Sequence, residues 1–218
     1  MSDAQTPSSG DNAAGDAVAE AAAAPVRKRP KPGERRVQIL QALASMLEQP
    51  GAERITTAAL AARLEVSEAA LYRHFASKAQ MFEGLIDFIE QSVFTLVNQI
   101  LEREADGHAR VTRIVALLLQ FAERNPGMTR VMVGDALVFE NDRLQQRMNQ
   151  FFDRIESSLR QALRETVQQQ GSPTPTVDAQ VRASVVTAFA VGRLHRFARS
   201  GFKRLPTEHL EASLASLH

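Results

Sequence analysis

Between residues 55 and 78 the chain gathers hydrogen-bond donors and cations onto short segments. Thr56, Thr57, Ser67 and Ser77 offer hydroxyls, and Tyr72, Arg73, His74 and Lys78 offer further donors or charge. Such groups suit phosphate oxygens and base edges better than bond-breaking chemistry. Their spacing predicts two short helices. Thr56 or Thr57 caps the first, whose inner stripe is Leu60, Ala61 and Leu64. The small side chain of Ala61 lets two helices cross closely. Val66 fills the corner, and Ser67 caps the second helix. Ala70, Leu71 and Phe75 then pack inward, leaving Glu68, Ala69, Tyr72, Arg73 and His74 on or near the outward side. A short helix with an exposed N-terminal face beside a supporting helix is the helix-turn-helix arrangement, in which the second helix enters the major groove. A generic helical hairpin with a solvated polar face has the same spacing.

Catalytic alternatives find no residues to carry them. The histidines His74, His108, His195, His209 and His218 lack the i,i+4 and HExxH spacings of metal sites. There is no GxGxxG or Walker motif and no nucleophile elbow. Cysteine is absent, which excludes disulfides, thiolate zinc sites and cysteine nucleophiles. No enzyme activity, metal or cofactor is expected.

These groups need elements to position them. The 218 residues suffice for one medium domain or two small ones sharing a core. The longest uninterrupted apolar run, 114–119, is far shorter than the roughly 20 residues of a membrane-spanning helix. The N-terminus lacks the form of a signal peptide. Net charge is +1, but it is unevenly placed: −4 over residues 1–25, +5 over 26–80 and zero over 81–218. A basic stretch on a near-neutral chain suits a nucleic-acid face.

Residues 1–32 are dominated by Ala, Ser, Gly, Asp and Pro and end in Arg27, Lys28, Arg29 and Lys31. They read as a disordered arm, either a solvated linker or a basic strap along phosphates. From Glu34 onward the apolar period is helical. Helices are expected at 34–48, 57–64, 67–75 and from Lys78 towards Leu101. Gly107 is expected to break the chain before a helix at 111–123, with Asn125-Pro126-Gly127 ending it. A shorter segment at 128–139 and long helices at 143–169 and 177–200 follow, and Pro206 restarts a short C-terminal piece. The fold class is all-α, with about nine helices.

The letters Ile-Thr-x-x-x-Leu-Ala at 55–61 and Val-Ser-x-x-Ala-Leu-Tyr-x-His-Phe-x-Ser-Lys at 66–78 resemble the DNA-binding domain of the TetR family. The match covers residues 34–80. It implies a DNA-binding domain at 33–78, a helical dimerisation and partner-binding domain at 79–218, and a two-fold dimer on palindromic DNA. It implies Thr56, Thr57, Ser67, Glu68, Ala69, Tyr72, Arg73, His74, Ser77 and Lys78 at the DNA. One departure is Glu65, where the family usually has Gly; a left-handed backbone there costs about 1–2 kcal/mol. The helices at 143–169 and 177–200 stand where the family pairs its subunits, so Phe151, Phe152, Ile155, Leu159, Val181, Val185 and Phe189 are the expected dimer interface.

A narrower resemblance, to division-control members of that family, covers residues 34–205. It rests on Glu123-Arg124-Asn125-Pro126-Gly127-Met128-Thr129-Arg130 and on Ala136-Leu137-Val138-Phe139-Glu140-Asn141-Asp142-Arg143-Leu144-Gln145, together with residues 67–75 and 82–90. It implies a nucleoid-associated cytoplasmic protein that, on chromosomal palindromes, binds the C-terminal tail of FtsZ and antagonises ring assembly over unsegregated DNA. Phe88, Leu117, Arg124 and Asn125 match the tail-binding positions, and Leu96 replaces a position that can be basic in relatives. Phe88 and Leu117 also fit simple helix packing, and Arg124 also fits a helix C-terminus. The alternative within the same fold is a ligand-responsive repressor, which needs a roomy pocket. Leu117-Leu118-Leu119, Phe121, Met132 and Val133 read instead as filling.

Overall fold

The computed structural model describes residues 33–50 and 54–217. The arm at 1–32 lies outside the described residues. The elements are α1 (Glu34–Leu47), α2 (Thr57–Arg63), α3 (Glu68–Tyr72), α4 (Lys78–Arg103), α5 (Gly107–Arg124), α6 (Pro126–Met132), α7 (Asp142–Gln169), α8 (Pro175–Arg199) and α9 (Leu210–Ala215), with a 3-10 turn at Asp135–Leu137. No strand occurs among the described residues.

Side-chain caps start most of the helices that position the site. Thr56 accepts from Ala59 N at 3.1 Å, Ser67 from Ala70 N at 3.3 Å and Ser77 from Gln80 N at 3.2 Å. Each satisfies one of the donors that a first turn leaves open. The turn between α2 and α3 is a Schellman closure: Glu65 N bonds Ala62 O and Val66 N bonds Ala61 O. Glu65 sits at φ 54, so the left-handed position is occupied by a residue with a Cβ. The half-buried Val66 follows it and packs against the core.

Ile39, Leu43 and Leu47 of α1, Leu60 and Ala61 of α2, Leu71, Phe75 and the inner face of α4 form the core under the helix-turn-helix. That core continues without a break into α5, α7 and α8. The α7 and α8 helices form a long antiparallel hairpin. Ion pairs lace α4 to the start of α7 and the connection before it: Lys78 with Glu140, Glu83 with Arg143, and Asp87 and Glu90 with Arg147. They set the start of α7, and so the end of α8, beside the helix-turn-helix.

Three expectations are corrected. Gly107 begins α5 rather than breaking the chain before it. A Cβ there would lie 2.0 Å from Thr166 Oγ1 and 2.5 Å from Ala162 O, so the glycine serves close helix packing. The segment 128–139 is not one helix: α6 stops at Met132, Gly134 turns at φ 86 and a 3-10 turn follows. Finally, Phe151, Ile155 and Leu159 do not face a partner. Each is at most 1% exposed within the single chain, because the apolar stripe of α7 packs against α4, α5 and α8.

Candidate nucleic-acid interface and partner groove

The expected DNA-contacting residues lie on α2, α3, their N-caps and the start of α4, but they are not equally available. Thr56, Glu68, Ala69, Tyr72 and Arg73 are exposed. Tyr72 keeps 45% of its surface, as a large aromatic that reaches out of a packed helix should. The hydroxyl of Thr57 donates to Glu68 Oε2 at 2.6 Å, so these two satisfy each other and pin α3 to α2. His74 is half-buried, and its carbonyl accepts from the Arg36 guanidinium. The same guanidinium lies 4.1 Å from the centre of the Phe75 ring. Arg36 thus clamps α1 onto the end of α3. It escaped sequence reasoning because its partners are 38 and 39 residues away. Lys78 pairs with Glu140 and lies 5.7 Å from the Phe82 ring centre, so it joins the helix-turn-helix to the α6–α7 connection as well as facing outward.

The first turns of α2, α3 and α4 leave backbone N–H groups beyond those their caps take up, and such groups favour phosphate oxygens. The arrangement offers neutral donors, the exposed Arg73 and helix ends.

A second surface lies between α4 and α5. Phe88 is 46% exposed and packs on Phe121, with ring centres 6.4 Å apart. Leu117, Phe121 and Arg124 fall at i, i+4 and i+7 on one face of α5. Leu117 and Phe121 are half-buried and Arg124 is exposed. The Asn125 side chain donates to Phe121 O at 2.7 Å, closing the last turn of α5. Asn125 therefore shapes the end of this groove. Phe121, which reads as filling in the sequence, joins this surface, and its spacing from Leu117 and Arg124 is the signal that marks it. Leu96, 43% exposed, continues the Phe88 face along α4.

Apart from the buried Phe151, Ile155 and Leu159, the residues expected at the dimer interface separate into two groups. Val181 and Val185 are exposed, with Val177 one turn earlier, and they form an unpartnered stripe on α8. Phe152 and Phe189 are half-buried. Gly192 continues the stripe, with nothing within 4 Å of where a Cβ would stand.

The helix-turn-helix on a helical C-terminal domain defines a DNA-binding regulator of the TetR fold. Residues 39–85 match the family model described as bacterial regulatory proteins, tetR family, and residues 105–218 match the tetracyclin repressor-like C-terminal domain of SlmA-like type. A nucleoid occlusion factor SlmA from Idiomarina loihiensis is 56% identical over 178 residues, covering 82% of this chain and 90% of that one. The SlmA of Vibrio cholerae is 54% identical over 184 residues, covering 84% and 93%. The chain belongs to the TetR family, within its SlmA group of nucleoid occlusion factors. Among solved structures, the regulator PfmR of Thermus thermophilus matches with a TM-score of 0.66 at 22% identity, over 84% of this chain and 94% of that one. FadR of Bacillus subtilis matches at 0.65 with 14% identity, over 83% and 96%. These two show the fold.

Proposed function

We propose that the chain works as a homodimer that binds palindromic chromosomal DNA through α2, α3 and the start of α4, and in that form captures the C-terminal tail of FtsZ in the α4–α5 groove. It is then nucleoid-associated and keeps division-ring assembly away from unsegregated DNA. The observation that carries the second half is the groove itself. Phe88 and Phe121 leave an apolar seat on the surface, and Arg124 stands at its end with no ion-pair partner among the described residues. An apolar anchor beside an unpaired guanidinium suits a peptide with an apolar side chain and a carboxylate. Dimerisation is supported by the valine stripe of α8, because exposed apolar rows of this length favour burial against a partner. Two recognition helices about one DNA turn (~34 Å) apart then read two half-sites.

The test is a titration of a fluorescent FtsZ C-terminal peptide with the protein, with and without a palindromic duplex that the protein selects from a random pool. Tighter peptide binding with the duplex is expected. Peptide binding that Phe88→Ala and Arg124→Ala leave unchanged refutes the groove assignment. Thr56→Ala and Tyr72→Ala should weaken DNA binding with helicity and dimerisation intact, and unchanged affinity in both refutes the DNA surface.

A further inference from the structure

From residue 179 to 207 the chain carries six Arg and Lys and no Asp or Glu. Folding gathers part of this charge at the C-terminal end of α8. Arg196, Arg199, Lys203 and Arg204 are all exposed there, and none has an ion-pair partner among the described residues. Arg193, Arg196, Lys203 and Arg204 line a depression of about 440 Å³ with Leu205 and Glu208. Arg193 is committed to the framework: it donates to Glu208 O at 2.6 Å and to Ser213 Oγ at 2.7 Å. A helix C-terminus favours cations, which accounts for Arg196 and Arg199 but not for Lys203 and Arg204 beyond the helix.

The patch lies at the end of α8 that is nearest the DNA-binding domain. The end of α8 packs near α6, which rests on α1 so closely that a Cβ on Gly127 would lie 2.0 Å from Ala44 O. Arg199 and Gly201 line one cavity with Pro50, just past α1. In the proposed dimer, α8 also supplies the two-fold face, so two copies of the patch flank the axis that bisects the palindrome. The depression has a single apolar residue at its rim. Protein partners are held by buried apolar anchors, whereas phosphates need only cations and donors.

We propose that Arg196, Arg199, Lys203 and Arg204 form a second, sequence-independent phosphate-binding surface on the dimerisation domain, which engages the duplex backbone between the two half-sites. This rests on the dimer and DNA reading above. Loss of DNA binding by the parent chain would refute that reading, whereas the comparison below tests the patch alone.

The experiment measures log affinity against log salt for the full chain and for Arg196→Gln/Lys203→Gln/Arg204→Gln. The probes are the selected palindromic duplex and a scrambled one. Each phosphate that is no longer neutralised should lower the slope by about 0.9. Binding to both duplexes should weaken alike, with discrimination between them kept. A palindromic duplex with methylphosphonates at its central phosphates should weaken the parent and leave the variant nearly unaffected. If the triple variant loses dimerisation, Lys203→Gln/Arg204→Gln, outside α8, carries the same test with a smaller change in slope. An unchanged slope overturns the proposal. So does an unchanged slope with weakened FtsZ-peptide binding, which would assign the patch to an acidic protein.

Discussion

The Thr57 hydroxyl donates to the Glu68 carboxylate at 2.6 Å, tying the first turn of α2 to the first turn of α3. Both residues were expected at the DNA. A carboxylate facing phosphates is unfavourable, and this bond holds it in one place while fixing the angle between the two helices. Thr57→Val keeps the shape and removes the donor. DNA affinity is expected to fall several-fold, and stability by no more than about 1 kcal/mol, because the bond is exposed. Glu68→Gln in that background should recover much of the affinity. Fluorescence anisotropy on the selected duplex and thermal unfolding check both.

Glu65 holds a left-handed turn with φ 54. Glu65→Gly removes the Cβ conflict and should stabilise the chain by about 1 kcal/mol. Urea unfolding at constant m-value is the measurement. A lower midpoint would mean that the interactions of the Glu65 side chain outweigh the strain.

Gly127 lets α6 rest directly on α1. Gly127→Ala brings a methyl group to 2.0 Å from Ala44 O, a backbone atom that cannot swing aside. Overpacking of this kind costs about 1–3 kcal/mol. The loss should appear as a lower unfolding midpoint, together with weaker DNA binding, since α1 also carries the Arg36 clamp on α3.

Apolar residues of α7 and α8 should separate cleanly by experiment. Val181→Asp/Val185→Asp places charge on the exposed stripe and is expected to yield a folded monomer in sedimentation, with DNA affinity sharply reduced. Phe151→Ala instead removes a buried ring and should cost about 3–5 kcal/mol of stability. A well-folded monomer from Phe151→Ala would reverse this division.

Much of the fold was readable from the chain because its signals are local. Caps at Thr56, Ser67 and Ser77 act on N–H groups three residues away, and helical periodicity in α4, α5, α7 and α8 is a property of neighbours one turn apart. Helix boundaries were misplaced where a glycine or proline has two uses. Gly107 has the sequence character of a breaker but works as a packing contact, and Asn125-Pro126-Gly127 both ends α5 and starts α6, with proline at the first helical position.

The order of residues therefore determined the all-α class, the helix-turn-helix and the outward set on α3, since each arises within a few residues of itself. Folding decided which apolar rows meet a partner. Phe151 and Val181 look alike in periodicity, yet one is 1% exposed and the other 56%, because burial depends on which helix crosses which face. It also paired Thr57 with Glu68 and Lys78 with Glu140, and left Arg196, Lys203 and Arg204 together with no ion-pair partner among the described residues. Charges and hydroxyls act over a few ångströms of space, and only packing brings residues far apart in the chain within that reach.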